Sequence, residues 1–385
     1  MRRIAILGST GSIGINTLDV IRRNPVAFKA VALSANSKSG ILERQIKEFR
    51  PLLACINDGN SAKALKSVFK SGVKILSGEA QALRMLADRR IDRVVLAISG
   101  SPALPPLLKA IESGKDVALA NKEALVMAGP VIMRRAAKNK VRILPIDSEQ
   151  SAIWQCLEGQ DRLKLKNIYL TASGGPFWKL EAKRFKGITP KQALAHPRWK
   201  MGRKITVDSA TLMNKGLELL EAMYLFAVAP EKIKILIHPE SVIHSMVEYV
   251  DGSVIAQLSV TDMRIPIQYA LSYPERIATE FKTLDFCKLR QLNFEKPDFG
   301  KFPCLKLAYQ AAYDGGAAPC VLNAANEISV NEFLNGRLSF VSIPRVIEKV
   351  LTKHRNIKNP GLEEILEADK WARQEALRLV KRKYD

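Results

Sequence analysis

Six short apolar runs punctuate the first 147 residues: Ile4–Leu7, Ala30–Leu33, Leu53–Ile56, Val94–Ile98, Val117–Ala120 and Val141–Ile146. Stretches of helical periodicity separate them. Strands that stay apolar without alternating are covered on both faces, the pattern of a parallel sheet flanked by helices. A doubly wound α/β domain of the Rossmann type is therefore expected over residues 1–147. The whole chain has 385 residues, 47% of them apolar, which is enough for two or three domains with cores of their own.

Each run ends where ligands of such sheets bind, at the carboxyl edge. The first leads into Gly8-Ser-Thr-Gly-Ser-Ile-Gly14 and then a helix from Asn16. Glycines there permit a tight turn and close approach of a pyrophosphate to the helix N-terminus, although a plain glycine-rich turn has the same look. The second strand ends in Asn36-Ser37-Lys38, with a lysine and no carboxylate. NAD sites place an acid there for the ribose 2′-hydroxyl, so these residues favour the 2′-phosphate of NADP(H). Asn121-Lys122-Glu123 opens a further helix, and capping accounts for Asn121 and Glu123 but poorly for Lys122. Val141–Ile146 then stops at Asp147-Ser148-Glu149. Carboxylates two residues apart in extended or turning backbone can converge, and a divalent cation with hard oxygen ligands relieves their repulsion.

Downstream, a strand at Asn167–Leu170 meets the turn Thr171-Ala-Ser-Gly-Gly-Pro176, where Ser173 and backbone N–H groups face an anion easily. Lys183 through Lys204 is basic, has little periodicity and contains His196-Pro-Arg-Trp-Lys-Met-Gly202, the character of a lid. In Ile205–Glu218, a helix from Ser209 would set Asn214, Lys215 and Glu218 on one face beside each other, a grouping suited to a phosphate and a metal. A solvated helix face is the plainer alternative, and Glu221 competes with Glu218 as ligand. A hairpin turning at Asp251-Gly252 completes what is expected to be a mainly antiparallel sheet in an α+β catalytic and dimerisation domain, residues 148–280. Residues 281–301 lack periodicity and form the expected linker. Amphipathic stripes such as Ile343, Val346, Ile347 and Val350 predict a helical bundle over 302–385. Asn323-Ala-Ala-Asn-Glu327 is rich in donors and acceptors, but nothing in it requires chemistry.

Composition narrows the class further. There is no apolar run of the length a membrane span needs, and Ile4–Leu7 reads as a strand rather than a signal segment. The 5 cysteines are scattered without a CxxC, which fits a reducing compartment: the bacterial cytoplasm, or an organellar stroma after removal of a transit segment. The net charge of +22 is spread along the chain and aromatic residues are only 6%, so steering of anionic small-molecule substrates accounts for it better than nucleic acid does.

Taken together, GSTGSIG at Gly8–Gly14, NKE at Asn121–Glu123, DSE at Asp147–Glu149, SGGPF at Ser173–Phe177, HPxWxMG at His196–Gly202 and VDSATLMNKGLE at Val207–Glu218 resemble the 1-deoxy-D-xylulose 5-phosphate reductoisomerase family over essentially the whole chain. The resemblance implies an NADPH-dependent homodimer of the methylerythritol phosphate route to isoprenoids. It implies Asp147, Glu149 and Glu218 as ligands of Mg²⁺ or Mn²⁺. Lys122, Ser148, Glu149, Ser173, His196, Ser209, Asn214, Lys215 and Glu218 would hold the substrate, with Lys122, Glu149 and His196 nearest the chemistry. Thr10, Gly11, Ser12, Ile13, Asn121, Glu123 and Gly202 would contact NADPH, joined by Asn36, Ser37 and Lys38, whose order departs from the Gly-Lys-Asn of some members. Trp199 and Met201 belong to the family's flap. The implied reaction breaks and re-forms a carbon–carbon bond and then reduces the branched aldehyde. An NADP-dependent sugar-phosphate dehydrogenase without rearrangement, and a basic nucleic-acid-binding module, are the competing readings.

Overall fold

A seven-stranded parallel sheet organises the first of two units in the computed structural model, which describes residues 1–196 and 201–381. In chain order the elements are β1 (Arg2–Leu7), α1 (Ser12–Arg23), β2 (Phe28–Ala35), α2 (Ser39–Phe49), β3 (Leu53–Ile56), α3 (Gly59–Val68), β4 (Lys74–Ser77), α4 (Glu79–Met85), β5 (Arg93–Leu96), α5 (Leu104–Glu112), β6 (Asp116–Leu119), α6 (Lys122–Lys138), β7 (Ile143–Pro145) and α7 (Ser148–Leu157). There follow β8 (Leu165–Ala172), α8 (Pro190–Ala193), α9 (Arg203–Ala210), α10 (Met213–Phe226), β9 (Ile233–Ile237), β10 (Ile243–Tyr249), β11 (Val254–Leu258), α11 (Arg264–Ser272), α12 (Pro303–Asp314), α13 (Ala318–Leu334), α14 (Ser342–Lys353) and α15 (Leu362–Lys381).

The first unit comprises residues 1–124, 132–151 and 262–281. Its strands run in the order β4-β3-β2-β1-β5-β6-β7, every neighbouring pair parallel. Ile4, Ala5, Ile6, Val94, Val95 and Leu96 are fully buried, as continuous apolar strands between helix layers must be. The sheet has one strand more than the apolar runs indicate. β4 is a short edge strand in which only Ile75 of Lys-Ile-Leu-Ser is buried, so it carries no run to see. Residues 262–281 join this unit by packing α11 on α1, by an Arg264–Asp19 pair at 2.8 Å and by a buried cation. Arg93 on β5 donates to the carbonyls of Ala270 and Leu271 at 2.6 and 2.8 Å, and burial pushes its guanidinium down to about 10, with Arg2 adding to the effect. α6 leaves helical geometry at Ala128, where Pro130 supplies no N–H for the ladder.

The second unit comprises residues 125–131, 152–261 and 282–385. Its sheet, β11-β10-β8-β9, corrects the expectation of a mainly antiparallel one: it is mixed. β10 is antiparallel to β8 and β11, but β8 and β9 are parallel. The chain between β8 and β9 is long and contains α9 and α10, the crossover that parallel neighbours need. The expected hairpin is present as β10–β11. Residues 282–301 form no helix but are pinned by a bridge from Glu295 to Ile237. In α14 the predicted stripe Ile343, Val346, Ile347 and Val350 is buried, and Phe333 and Phe340 meet edge to face at 5.7 Å in the same core. The lid stretch holds more structure than its composition suggests, since α8 starts in a capping box of Thr189 and Gln192. Trp199 lies outside the described residues.

Candidate active site

The carboxyl edge of the parallel sheet gathers four of the expected groups within the first unit. After β1, Gly8 turns at φ 85°, and a Cβ there would stand 2.5 Å from the Ala97 carbonyl oxygen. Gly14, inside α1, would meet the Gly8 oxygen at 2.4 Å. Only glycine allows α1 to sit so close to the turn, leaving Thr10, Gly11, Ser12 and Ile13 at its N-terminus. The turn is clasped from below by Gln45, which exchanges hydrogen bonds with the Ser9 hydroxyl and carbonyl at 2.8 and 2.9 Å. After β2, Asn36, Ser37 and Lys38 are all exposed, with Lys38 immediately before α2.

After β6, Asn121 caps α6 by accepting from the Ala124 N–H at 2.8 Å, and its amide donates to Gly100 O and to Glu123 Oε2. Capping thus explains Asn121 and Glu123, as expected from sequence. Lys122 is different: it is buried, and its Nζ lies 2.9 Å from Asp147 Oδ2. After β7, Asp147 precedes α7, its carbonyl accepting from the Ser151 N–H at 2.8 Å, and Ser148 and Glu149 fall in the first helical turn. Asp147 and Glu149 still offer carboxylate oxygens within 4.8 Å of each other, but a helix start rather than an extended strand brings them there. The Ser148 hydroxyl donates to Glu149 Oε2 at 2.6 Å. Asp147 Oδ1 is buried with no hydrogen-bond partner among the described residues. An anionic oxygen left so is costly unless a cation occupies its free side, and paired hard oxygens suit Mg²⁺ or Mn²⁺.

The other expected groups lie in the second unit. His196 Nε2 stands 3.2 Å from Ser173 Oγ and 3.1 Å from Ser209 Oγ. Burial first, and the Lys215 charge second, hold its imidazole below its ordinary pKa of 6.5. The turn carrying Ser173 is pressed against α9: Gly175 has φ 66°, and a Cβ there would be 2.6 Å from the Ser209 carbonyl oxygen. The helix expected from Ser209 onward is broken. α9 ends at Ala210, Leu212 adopts φ 57°, and α10 begins at Met213. Thr211 makes the break possible, donating to the Asp208 carbonyl and accepting from the Met213 N–H. Beyond it the predicted face forms, with Asn214 and Lys215 both donating to the buried Glu218 carboxylate. Glu221, one turn on, is equally buried. Gly202 stands before α9, where its carbonyl accepts from Thr206. Met201 is half-buried.

Residues 4–129 match the family model for 1-deoxy-D-xylulose 5-phosphate reductoisomerase, 143–226 its C-terminal domain, and 258–375 the DXP reductoisomerase C-terminal domain. A 1-deoxy-D-xylulose 5-phosphate reductoisomerase of Caldanaerobacter subterraneus is 49% identical over 98% of this chain and 99% of its own length. One of Chlorobaculum tepidum is 50% identical over 99% of this chain and all of its own. The chain belongs to the 1-deoxy-D-xylulose 5-phosphate reductoisomerase family. Among solved structures of that family, the Zymomonas mobilis reductoisomerase in complex with NADPH superposes with a TM-score of 0.92, at 43% identity over 98% of this chain and 99% of that one. A reductoisomerase in complex with NADPH, fosmidomycin and magnesium gives 0.92 at 41% identity, over 99% of this chain and 98% of that one.

Proposed function

We infer that the protein is an oxidoreductase that converts 1-deoxy-D-xylulose 5-phosphate to 2-C-methyl-D-erythritol 4-phosphate for isoprenoid synthesis, with NADPH and a divalent metal. Family membership at 49–50% identity over nearly the whole chain carries this reading. The relative that binds NADPH, fosmidomycin and magnesium supports both cofactors. When bound, the cation polarises the carbonyl and hydroxyl oxygens of the substrate, and NADPH supplies the hydride.

The chain's own residues then have separable tasks. Asp147, Glu149 and Glu218 offer hard oxygens for the metal, and the unpartnered Asp147 Oδ1 is the observation that favours a cation there. Lys122 orients Asp147 and holds a proton near it, and with Glu149 it is placed for proton transfer. Ser173, Ser209, Asn214 and Lys215 present hydroxyl, amide and ammonium groups suited to the phosphate, and His196 bridges the two serines. Ser148 completes the substrate set beside Glu149. Thr10, Gly11, Ser12 and Ile13 at the start of α1 serve the pyrophosphate of NADPH, and Asn36, Ser37 and Lys38 its 2′-phosphate. Asn121, Glu123 and Gly202 complete the nucleotide set.

We propose further that the enzyme is a homodimer in the cytoplasm. β11 is an edge strand with Val254 and Ile255 exposed, a template for pairing with a second chain. Light scattering should therefore give twice the chain mass, and a monomer at working concentration counts against the dimer. All five cysteines are free, as in a reducing compartment. The reaction itself is tested by incubating the protein with the ketose phosphate, NADPH and Mg²⁺ and characterising the product. The branched tetrol phosphate is expected. An unbranched reduced sugar phosphate would favour a dehydrogenase without rearrangement.

A further inference from the structure

The segment Asn323-Ala-Ala-Asn-Glu327, for which the sequence required no chemistry, lies in α13, and α13 packs on α9 within the second unit. There Asn326 Nδ2 donates to Asp208 Oδ1 at 2.9 Å, with both side chains sealed from solvent. The other Asp208 oxygen meets Lys204 Nζ at 2.9 Å, one turn back along α9. Asn326 Oδ1, by contrast, is buried without a hydrogen-bond partner among the described residues. Charge fixes the amide orientation, because a turned amide would aim its oxygen at the carboxylate. A buried acceptor left unpaired is a standing cost, and packing alone is served as well by leucine, which has no such atom.

Asp208 stands where two sets of site residues diverge. Its carbonyl accepts from the Thr211 hydroxyl at 3.2 Å, and that hydroxyl accepts from the Met213 N–H at 3.3 Å, where α10 opens. Ser209 follows Asp208 directly, and Asn214 and Lys215 follow the break at Leu212. The position of the last turn of α9 therefore sets both where the Ser209 hydroxyl meets His196 and where α10 starts. Asn326 ties that turn to the C-terminal helices.

We propose that Asn326 is a positioning residue for the reaction: through Asp208 it fixes the α9–α10 junction and thereby the groups that receive the substrate phosphate. The proposal rests on the assignment of Ser209, Asn214 and Lys215 to that phosphate. Asn326 itself does not touch substrate.

Asn326→Leu removes the donor and the orphaned acceptor together and leaves Asp208 paired with Lys204, so the fold should survive. In the full-length enzyme with NADPH and Mg²⁺, KM for the ketose phosphate rises about tenfold, the scale of one charge-assisted hydrogen bond, while KM for NADPH and Tm change little. Asn326→Asp sets two carboxylates together and is worse than leucine. Combining it with Asp208→Asn restores one donor facing one acceptor, and the new amide oxygen still serves Lys204, so KM recovers most of the way. An unchanged KM in Asn326→Leu, whatever its Tm, overturns the proposal, as does an exchanged pair that recovers Tm but not KM. An unmutated enzyme inactive on this substrate overturns the proposed function and this inference with it.

Discussion

His196 shows how far a single side chain is governed by its surroundings. Burial and the nearby Lys215 both disfavour the imidazolium, so the folded-state pKa lies below 6.5. The unfolded chain then binds the proton more readily than the native protein. Stability from this group is complete above pH 6.5 and is lost as pH falls through the lowered folded pKa. Between those limits, Tm of the native enzyme should fall on acidification, and His196→Gln should flatten that part of the curve. Equal slopes for the two proteins, measured by calorimetry across pH, would contradict the assignment. At this scale the sequence was informative where chemistry is dense: Asp147, Ser148 and Glu149 stand at a strand end, and Asn214, Lys215 and Glu218 share a face. It was silent where a partner lies far along the chain. Asp208 and Asn326 are 118 residues apart and meet only once α9 and α13 are packed. His238 is likewise buried, with its Nδ1 2.9 Å from the carbonyl oxygen of Asn293, which lies 55 residues on.

Among the elements, the βα turn after β1 concentrates the strictest demand on residue type. A methyl group at Gly14 would stand 2.4 Å from the Gly8 oxygen and 2.5 Å from Ser9 Cα, both backbone atoms that cannot step aside. Gly14→Ala should force α1 away from β1, weaken NADPH binding by at least about tenfold and lower stability by about 1–3 kcal/mol. Fluorescence titration with NADPH and thermal melts check both, and wild-type affinity in the variant would contradict the role of this close approach. The parallel strands were legible because burial on both faces writes an unbroken apolar run. β4 was not, since an edge strand buries too little. The parallel pairing of β8 with β9 was hidden as well, because it depends on a crossover rather than on any local pattern. The left-handed Leu212 between α9 and α10 has no sequence mark, for its conformation is stabilised by Thr211 and not by a glycine.

For the whole molecule, a charge of +22 with only 6% aromatic residues fits an enzyme that draws in a phosphate ester and a dinucleotide. Among the described residues, no helix is long and apolar enough to cross a membrane. Fold class and chemistry could both be read early, since the same strand ends that define the α/β sheet also carry the reactive side chains. The return of residues 262–281 to the first unit could not, because its ties, Arg93 to backbone carbonyls of α11 and Arg264 to Asp19, join residues far apart in the chain. On the function proposed above, a divalent metal held by Asp147, Glu149 and Glu218 is needed for the reaction. The most direct test follows NADPH absorbance in the presence of 1-deoxy-D-xylulose 5-phosphate, with Mg²⁺ or with chelator, for the native enzyme and Glu218→Gln. Oxidation that requires Mg²⁺ and falls more than about 100-fold in the variant, with NADPH binding intact, is the predicted result. Oxidation that persists in chelator and in Glu218→Gln would contradict it.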